Sequence, residues 1–275
     1  MENVRKICFD ALLKTATEDA YSNVVASSLA KRQYEDKRNK AFVCALYYGI
    51  IEREITLDYI ISLFSRLKPD KIDIKAKILL RMGIYQIIYM DKVPDSAAVN
   101  ETVKLCPKIG MYSAKGFING VLRNVVREKD NIKYPKPGSD EYLSVMYSCH
   151  IDKVRLIVKS YGYELCEEYL KCSMGSPVLT ARVNTLLTNS DEIIKILADE
   201  NIVAEKNSVV DNAIDITGGA DNLFNGLRRL VLSFSSDYTM FINIFLEFPF
   251  CFTNRSGNAF VLVQLVNVFL PLMIV

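Results

Sequence analysis

The sequence predicts a mainly α-helical protein: an all-α bundle over residues 1–132, a small α+β extension over 141–226, and an irregular apolar tail over 227–275 that is not a native domain. Three observations carry this reading. Apolar residues recur at spacings of three and four from residue 4 to about residue 129, and no stretch there alternates with period two over a convincing length. Residues 130–140, DNIKYPKPGSD, place two prolines and a glycine among polar residues, which is linker chemistry. After Pro177 short β-prone runs flank one helix, and after Leu227 charge almost vanishes.

Taken in order, Ile7, Ala11, Leu12 and Ala16 mark the first helix, and Val24, Val25, Ser28 and Leu29, following Ser22, mark the second. Asp36 is placed to cap KRNKAFVCALYYGIIER, where Phe42, Leu46 and Ile50 form one face beside Ala45 and Gly49. Thr56 is placed to cap LDYIISLFSRL, which stops at Lys68-Pro69. Asp73 begins IKAKILLRMGIYQIIYM, with Tyr85, Tyr89 and Phe64 expected in the core. Pro94 fixes the next turn, with Asp95 or Ser96 as the cap. An amphipathic helix over 112–128 then turns Phe117, Val121, Leu122 and Val125 inward, for roughly seven helices in all. Beyond the linker, Val154, Ile157 and Val158, then Leu165, Cys166, Tyr169 and Leu170, keep helical spacing. VLTARVNTL reads as a short strand, Ser190 caps DEIIKILADEN, and IVAEKNSVVDNAIDI supplies more β-prone residues, giving a β-α-β arrangement.

At 275 residues the chain is long enough to bury a real core. Its net charge of +2 hides an asymmetry. Residues 1–140 hold 24 Lys/Arg against 17 Asp/Glu, and residues 141–275 hold 10 against 15, so the front half is the better polyanion-binding candidate. Seven cysteines without CxxC spacing, and a single histidine, His150, argue against a zinc site. The start, MENVRKICFDALLK, shows no secretory signal, and with free thiols this points to the cytoplasm. Residues 259–275, uncharged for 17 positions but interrupted by Gln264, Asn267 and Pro271, make a poor membrane span. Residues 230–275 contain three charged groups, and eight of the thirteen phenylalanines lie beyond 227.

Four runs in order, AFVCALYYGIIEREITLDYII (41–61), LLRMGIYQIIYMDKVPDSAAVNETVKL (79–105), GFINGVLRN (116–124) and TARVNTL (180–186), resemble the front of the bacterial 16S ribosomal RNA cytosine-C5 methyltransferases of the Sun/RsmB family. The resemblance covers about 220 residues. It implies a NusB-like RNA-binding domain, then an α+β extension that helps to hold the RNA, then a catalytic core using S-adenosylmethionine and a cysteine that adds to the base. Past ADNLFNGL (220–227) the pattern stops: no Gly-rich loop and no Pro-Cys or Thr-Cys pair follows. A shifted reading frame or a truncated gene is the expectation, with neither catalytic nor cofactor-binding residues in this chain. Around 147–162 the family's Ser-x-Pro and aromatic are replaced by His150 and Asp152.

Two alternatives stay open: a stand-alone NusB-type RNA-binding protein of transcription antitermination, and a binding protein anchored to a membrane through 259–275. Candidate RNA contacts fall in three groups. Arg5 and Lys6 combine with Lys37, Arg38 and Lys40; the resemblance implies that the N-terminal helix meets RNA. Lys115, Asn119, Arg123 and Arg127, spaced by four, form one polar stripe, which otherwise is a solvated helix face. Arg182 shares a strand face with Asn184, to hold RNA or to form an ion pair with a catalytic core. The expected partner is 16S ribosomal RNA and the expected state a monomer; no metal is expected. His150, Glu101 and Asp91 carry no acid–base pairing.

Overall fold

The computed structural model describes residues 3–18, 21–174, 179–183, 185 and 188–219, and the backbone of 243–245. It divides into two compact units, Met1–Lys171 and Cys172–Val275, each taken by itself below.

The first unit opens with seven α-helices: α1 Val4–Thr17, α2 Ser22–Lys31, α3 Lys37–Glu52, α4 Glu54–Phe64, α5 Ile74–Tyr89, α6 Asp95–Lys108 and α7 Lys115–Glu128. α5 is central and packs on α1, α3, α4, α6 and α7. Its sequence explains the position, because apolar residues lie all round it: Ala76, Ile78, Leu79, Leu80, Met82, Ile84 and Ile87 are all buried. Gly83 lets α7 approach, since a Cβ there would strike the Leu122 side chain. The surrounding helices each give one apolar stripe, among them Phe9 and Leu12 of α1, Leu46 and Tyr47 of α3, Ile60 of α4, Leu105 of α6 and Leu122 of α7.

Two polar side chains of α5 are buried with this core, Arg81 and Gln86. Arg81 donates from Nε and Nη2 to the two oxygens of Asp58, both at 2.7 Å, and its Nη1 lies 2.8 Å from Glu54. Burial pulls the Arg81 pKa down, but the α4 carboxylates outweigh it and the net shift is upward.

Asp36 and Asp73 cap α3 and α5 as the sequence predicts, their carboxylates accepting from Arg38 N and from Lys75 and Ala76 N. Three expected caps move. Thr56 lies inside α4, buried, and donates from Oγ1 to the Val145 carbonyl at 2.6 Å, because tertiary packing claims its hydroxyl first. Pro94 itself occupies the cap position of α6, so neither Asp95 nor Ser96 caps it. Asn189 instead of Ser190 caps the helix over Ser190–Asp199. Ala45 and Val24 face solvent, and Tyr85, Tyr89 and Phe64 pack on the core only in part.

After the seven helices, Tyr134 stacks on Tyr59 and the Tyr59 hydroxyl donates to the Lys133 carbonyl, which ties residues 133–134 to α4. Three further helices follow: α8 Asp140–Met146, α9 Ile151–Tyr161 and α10 Tyr163–Ser173. Leu143, Cys149, Val154, Cys166 and Leu170 make their small core. Leu165 and Tyr169, which the sequence places with Cys166 and Leu170, point outward, since α10 buries only a narrow stripe.

In the second unit, β1 Leu179–Arg182 leads to α11 Ser190–Asp199, then β2 Val203–Lys206 and β3 Ala213–Gly218, and β4 is Asn243–Phe245. The sheet order is β2-β3-β1-β4 and the three pairings are antiparallel. β1 and β2 are therefore parallel with β3 between them, a split β-α-β unit of ferredoxin-like order. Ala181, Ile214 and Ile216 share a core with Ile193 and Leu197 of α11. β4 is a short strand within the segment read from sequence as an irregular tail; the rest of 227–275 lies outside the described residues. Among the described residues no helix is long and apolar enough to cross a membrane.

The Arg81 clamp gives a direct prediction. Asp58→Ala leaves the buried guanidinium with Glu54 as its remaining carboxylate and is expected to cost about 2 kcal/mol, read as a lower urea midpoint of the helical circular-dichroism signal. An unchanged midpoint would remove the clamp from the list of what holds α4 to α5.

Candidate nucleic-acid interface

The N-terminal basic pair behaves differently at its two positions. Arg5 is drawn into the bundle: its Nε donates to Gln86 Oε1 at 2.8 Å and its guanidinium lies over the Phe42 ring, 4.9 Å from the centroid. Burial lowers its pKa and the charge of Glu101 opposes that shift. Lys6 is more exposed and pairs with Asp10 one turn on, at 2.6 Å. α3 begins at Lys37, so Lys37, Arg38 and Lys40 are exposed around a first turn that carries no acid. The Asp36 carboxylate already occupies the positive end of the helix, so what attracts an anion at this corner is the excess of three cations over that one acid. Arg5 reaches α3 at Phe42, close in sequence to that corner.

A second cluster escapes a reading by sequence runs. Glu101, Lys104 and Lys108 lie on α6, which packs against α1. Lys104 Nζ is 2.7 Å from Glu101 Oε1. The Glu101 carboxyl is held below its usual pKa, first by that hydrogen bond, and also by the charges of Arg5 and Lys108. Three cations from two helices thus surround one carboxylate. The signal was present as a Glu-x-x-Lys-x-x-x-Lys spacing, but only the α1–α6 packing adds Arg5 to it.

On α7, Lys115, Arg123 and Arg127 are exposed along one face, as predicted, while Ile118, Val121, Leu122 and Val125 are buried. Arg123 Nε donates to Asn119 Oδ1 at 3.1 Å and Arg127 donates to Asn124. Asn119 therefore orients Arg123. No acid stands in the first turn of α7, and Gly116 and Gly120 leave open space above the same helix.

Arg182 ends β1, exposed, on the face opposite α11. On that face Thr180 Oγ1 donates to Asp215 at 2.6 Å, and Asn207 Nδ2 donates to both oxygens of Asp215. Asn184, its expected neighbour, lies outside the described residues. His150 caps α9, its Nδ1 accepting from Asp152 N, which is a structural role.

The thiols of Cys8, Cys44, Cys106, Cys149 and Cys166 are all pushed up by burial and so are protonated and poor nucleophiles near neutrality. Among the described residues no cluster of His, Cys, Asp and Glu could hold a metal ion. What the surfaces offer is guanidinium and ammonium donors in the pattern that meets phosphates.

The NusB family profile matches residues 2–127, and that of the Methyltr_RsmF/B-like ferredoxin-like domain matches residues 154–221. This chain joins a NusB domain to an RsmF/B-type ferredoxin-like domain. The probable ribosomal RNA small subunit methyltransferase B of Bacillus subtilis is 31% identical over 227 residues, covering 79% of this chain and 48% of that protein. The transcription antitermination protein NusB of Bacillus velezensis is 28% identical over 122 residues, covering 44% of this chain and 94% of that protein. Among solved structures, the crystal structure of PH0851 has a TM-score of 0.51 at 16% identity over 79% of this chain and 49% of that one, a likeness of fold. The chain spans about half the length of the methyltransferase relatives it matches. The seven-helix bundle is thus the NusB fold, and β1, β2 and β3 of the sheet fall within the ferredoxin-like match.

If the α1–α6 cluster meets polyanions, its carboxylate opposes them. Glu101→Gln is expected to elute from immobilised heparin at higher salt than the parent chain. Elution at equal or lower salt would show that this cluster does not face the polyanion.

Proposed function

We propose that residues 1–132 and 141–226 form the RNA-recognition part of a 16S ribosomal RNA cytosine-C5 methyltransferase, gripping the RNA through its phosphates. The observation that carries this is the join itself: a NusB domain whose α1, α3, α6 and α7 present cations, followed by a ferredoxin-like domain of the RsmF/B type. The antitermination reading explains less. A NusB protein is matched over nearly its whole length by 44% of this chain, which leaves the second domain without a counterpart. Free thiols at the six described cysteines and a bundle that buries most of its apolar side chains on itself support a cytoplasmic monomer.

The methyl donor that the family resemblance implies, S-adenosylmethionine, is not fitted by the described residues. The glycine just past β3, Gly219, has φ of 72° and a Cβ position blocked by the Asn201 carbonyl, so it serves packing and not a ligand cradle. No methyl-transfer step is assigned to these residues; the chemistry they support is binding and orientation of the RNA.

Filter binding of the full chain to in vitro transcribed 16S ribosomal RNA across a salt series tests this reading. Affinity should fall steeply with salt, by about one unit of slope for each phosphate neutralised. Arg123→Ala with Arg127→Ala should weaken binding about tenfold and lower the slope. Salt-independent affinity would contradict the phosphate grip, and equal affinity for 23S ribosomal RNA would contradict the assignment of 16S ribosomal RNA as the target.

A further inference from the structure

We propose that Gln86 is a positioning residue for RNA binding: from the core it fixes the Arg5 guanidinium so that its terminal nitrogens meet a backbone phosphate. The proposal rests on the RNA-binding reading above and assigns one residue's work within it.

The argument begins with a cost. Gln86 has no exposed surface, and a buried amide is unfavourable unless its hydrogen-bonding groups are used. Its Nε2 donates to the Met82 carbonyl one turn back at 2.8 Å, which sets the orientation of the amide and leaves Oε1 pointing out of the helix. That oxygen accepts from Arg5 Nε at 2.8 Å. The hydrogen bond that Gln86 makes beyond its own helix therefore goes to a surface-reaching cation of α1. Phe42 of α3 covers one face of the same guanidinium, so three helices combine to hold it.

Held in this way, Arg5 has committed its Nε and one face. The guanidinium keeps the N–H groups of its two terminal nitrogens, the fork that meets a phosphate in two parallel bonds. Its side chain is only half-buried, and beside it α6 presents Lys104 and Lys108 around Glu101. An arginine already ordered in the free protein loses less freedom on binding than one that must be caught from solution, and pre-organisation of this kind raises affinity without adding a contact. A bond serving only to tie α1 to α5 would need no cation; two apolar side chains would do it at lower desolvation cost.

The test is a double-mutant cycle on the full chain, with 16S ribosomal RNA transcript as the probe. Arg5→Ala should weaken binding about tenfold and lower the salt slope by about one. Gln86→Met, which keeps volume, should weaken binding about fivefold at an unchanged slope, because the charge remains and only its order is lost. In the Arg5→Ala background, Gln86→Met should add nothing further. Phe42→Leu should behave as Gln86→Met does and guards against a folding defect at either site. Multiplicative losses from both variants, or parental affinity in both, overturn the positioning role while leaving RNA binding intact. No binding by the parent chain overturns the RNA reading as well.

Discussion

The burial of α5 on all sides is the constraint from which the rest of the first unit follows. Over residues 78–87 a helix wrapped by α1, α3, α4, α6 and α7 gives polar groups little access to water, so the buried Arg81 and Gln86 must find partners among its neighbours. Arg81 finds Asp58 and Glu54 on α4. Gln86 finds Arg5 on α1. The two bonds leave the core in different directions and do different work. The first closes a charge within the bundle. The second reaches outward and ends on a cation that water, or a phosphate, can still touch.

That difference sorts the basic residues. The front of the chain is rich in Lys and Arg, yet charge count says little about which of them are available. Lys6 is matched by Asp10 and Lys129 by Asp95, exposed or half-exposed pairs that contribute little to stability and compete weakly with a ligand. Arg81 is fully committed. Lys37, Arg38, Lys40 and Lys115 stand exposed at the starts of their helices, and on α7 the amides of Asn119 and Asn124 orient Arg123 and Arg127 without neutralising them. Arg5, Lys104 and Lys108 share a single carboxylate. The proposed polyanion-facing surface is the set of cations left over once the core has taken what it needs.

The bundle was legible in the sequence because its signals are local. Three-and-four spacing marks every helix, and Asp36 and Asp73 begin two of them by a capping bond that a single chain position can encode. What could not be read depended on tertiary competition. Thr56 looks like a cap, but the α8 carbonyl of Val145 takes its hydroxyl. Leu165 and Tyr169 have core-like spacing on a helix that buries only Cys166 and Leu170. The candidate surface was legible as a run of exposed cations where one helix holds it, as on α7, and illegible where two meet. Nothing near Arg5 in the sequence names Gln86, 81 positions away, or Glu101 and its lysines. In the second unit the β-prone runs located β1, β2 and β3 but not β4, whereas the strand order, with β3 between β1 and β2, is a fact of pairing alone.

The central claim, that phosphate contact runs over the α1–α6 face of the NusB domain, is most directly tested by lysine footprinting. The full chain would be acetylated with and without 16S ribosomal RNA and the modified positions read by mass spectrometry. The account predicts protection of Lys104 and Lys108, with Lys153 and Lys159 of α9 labelled equally in both samples. Protection of the α9 lysines with Lys104 and Lys108 unchanged would contradict it.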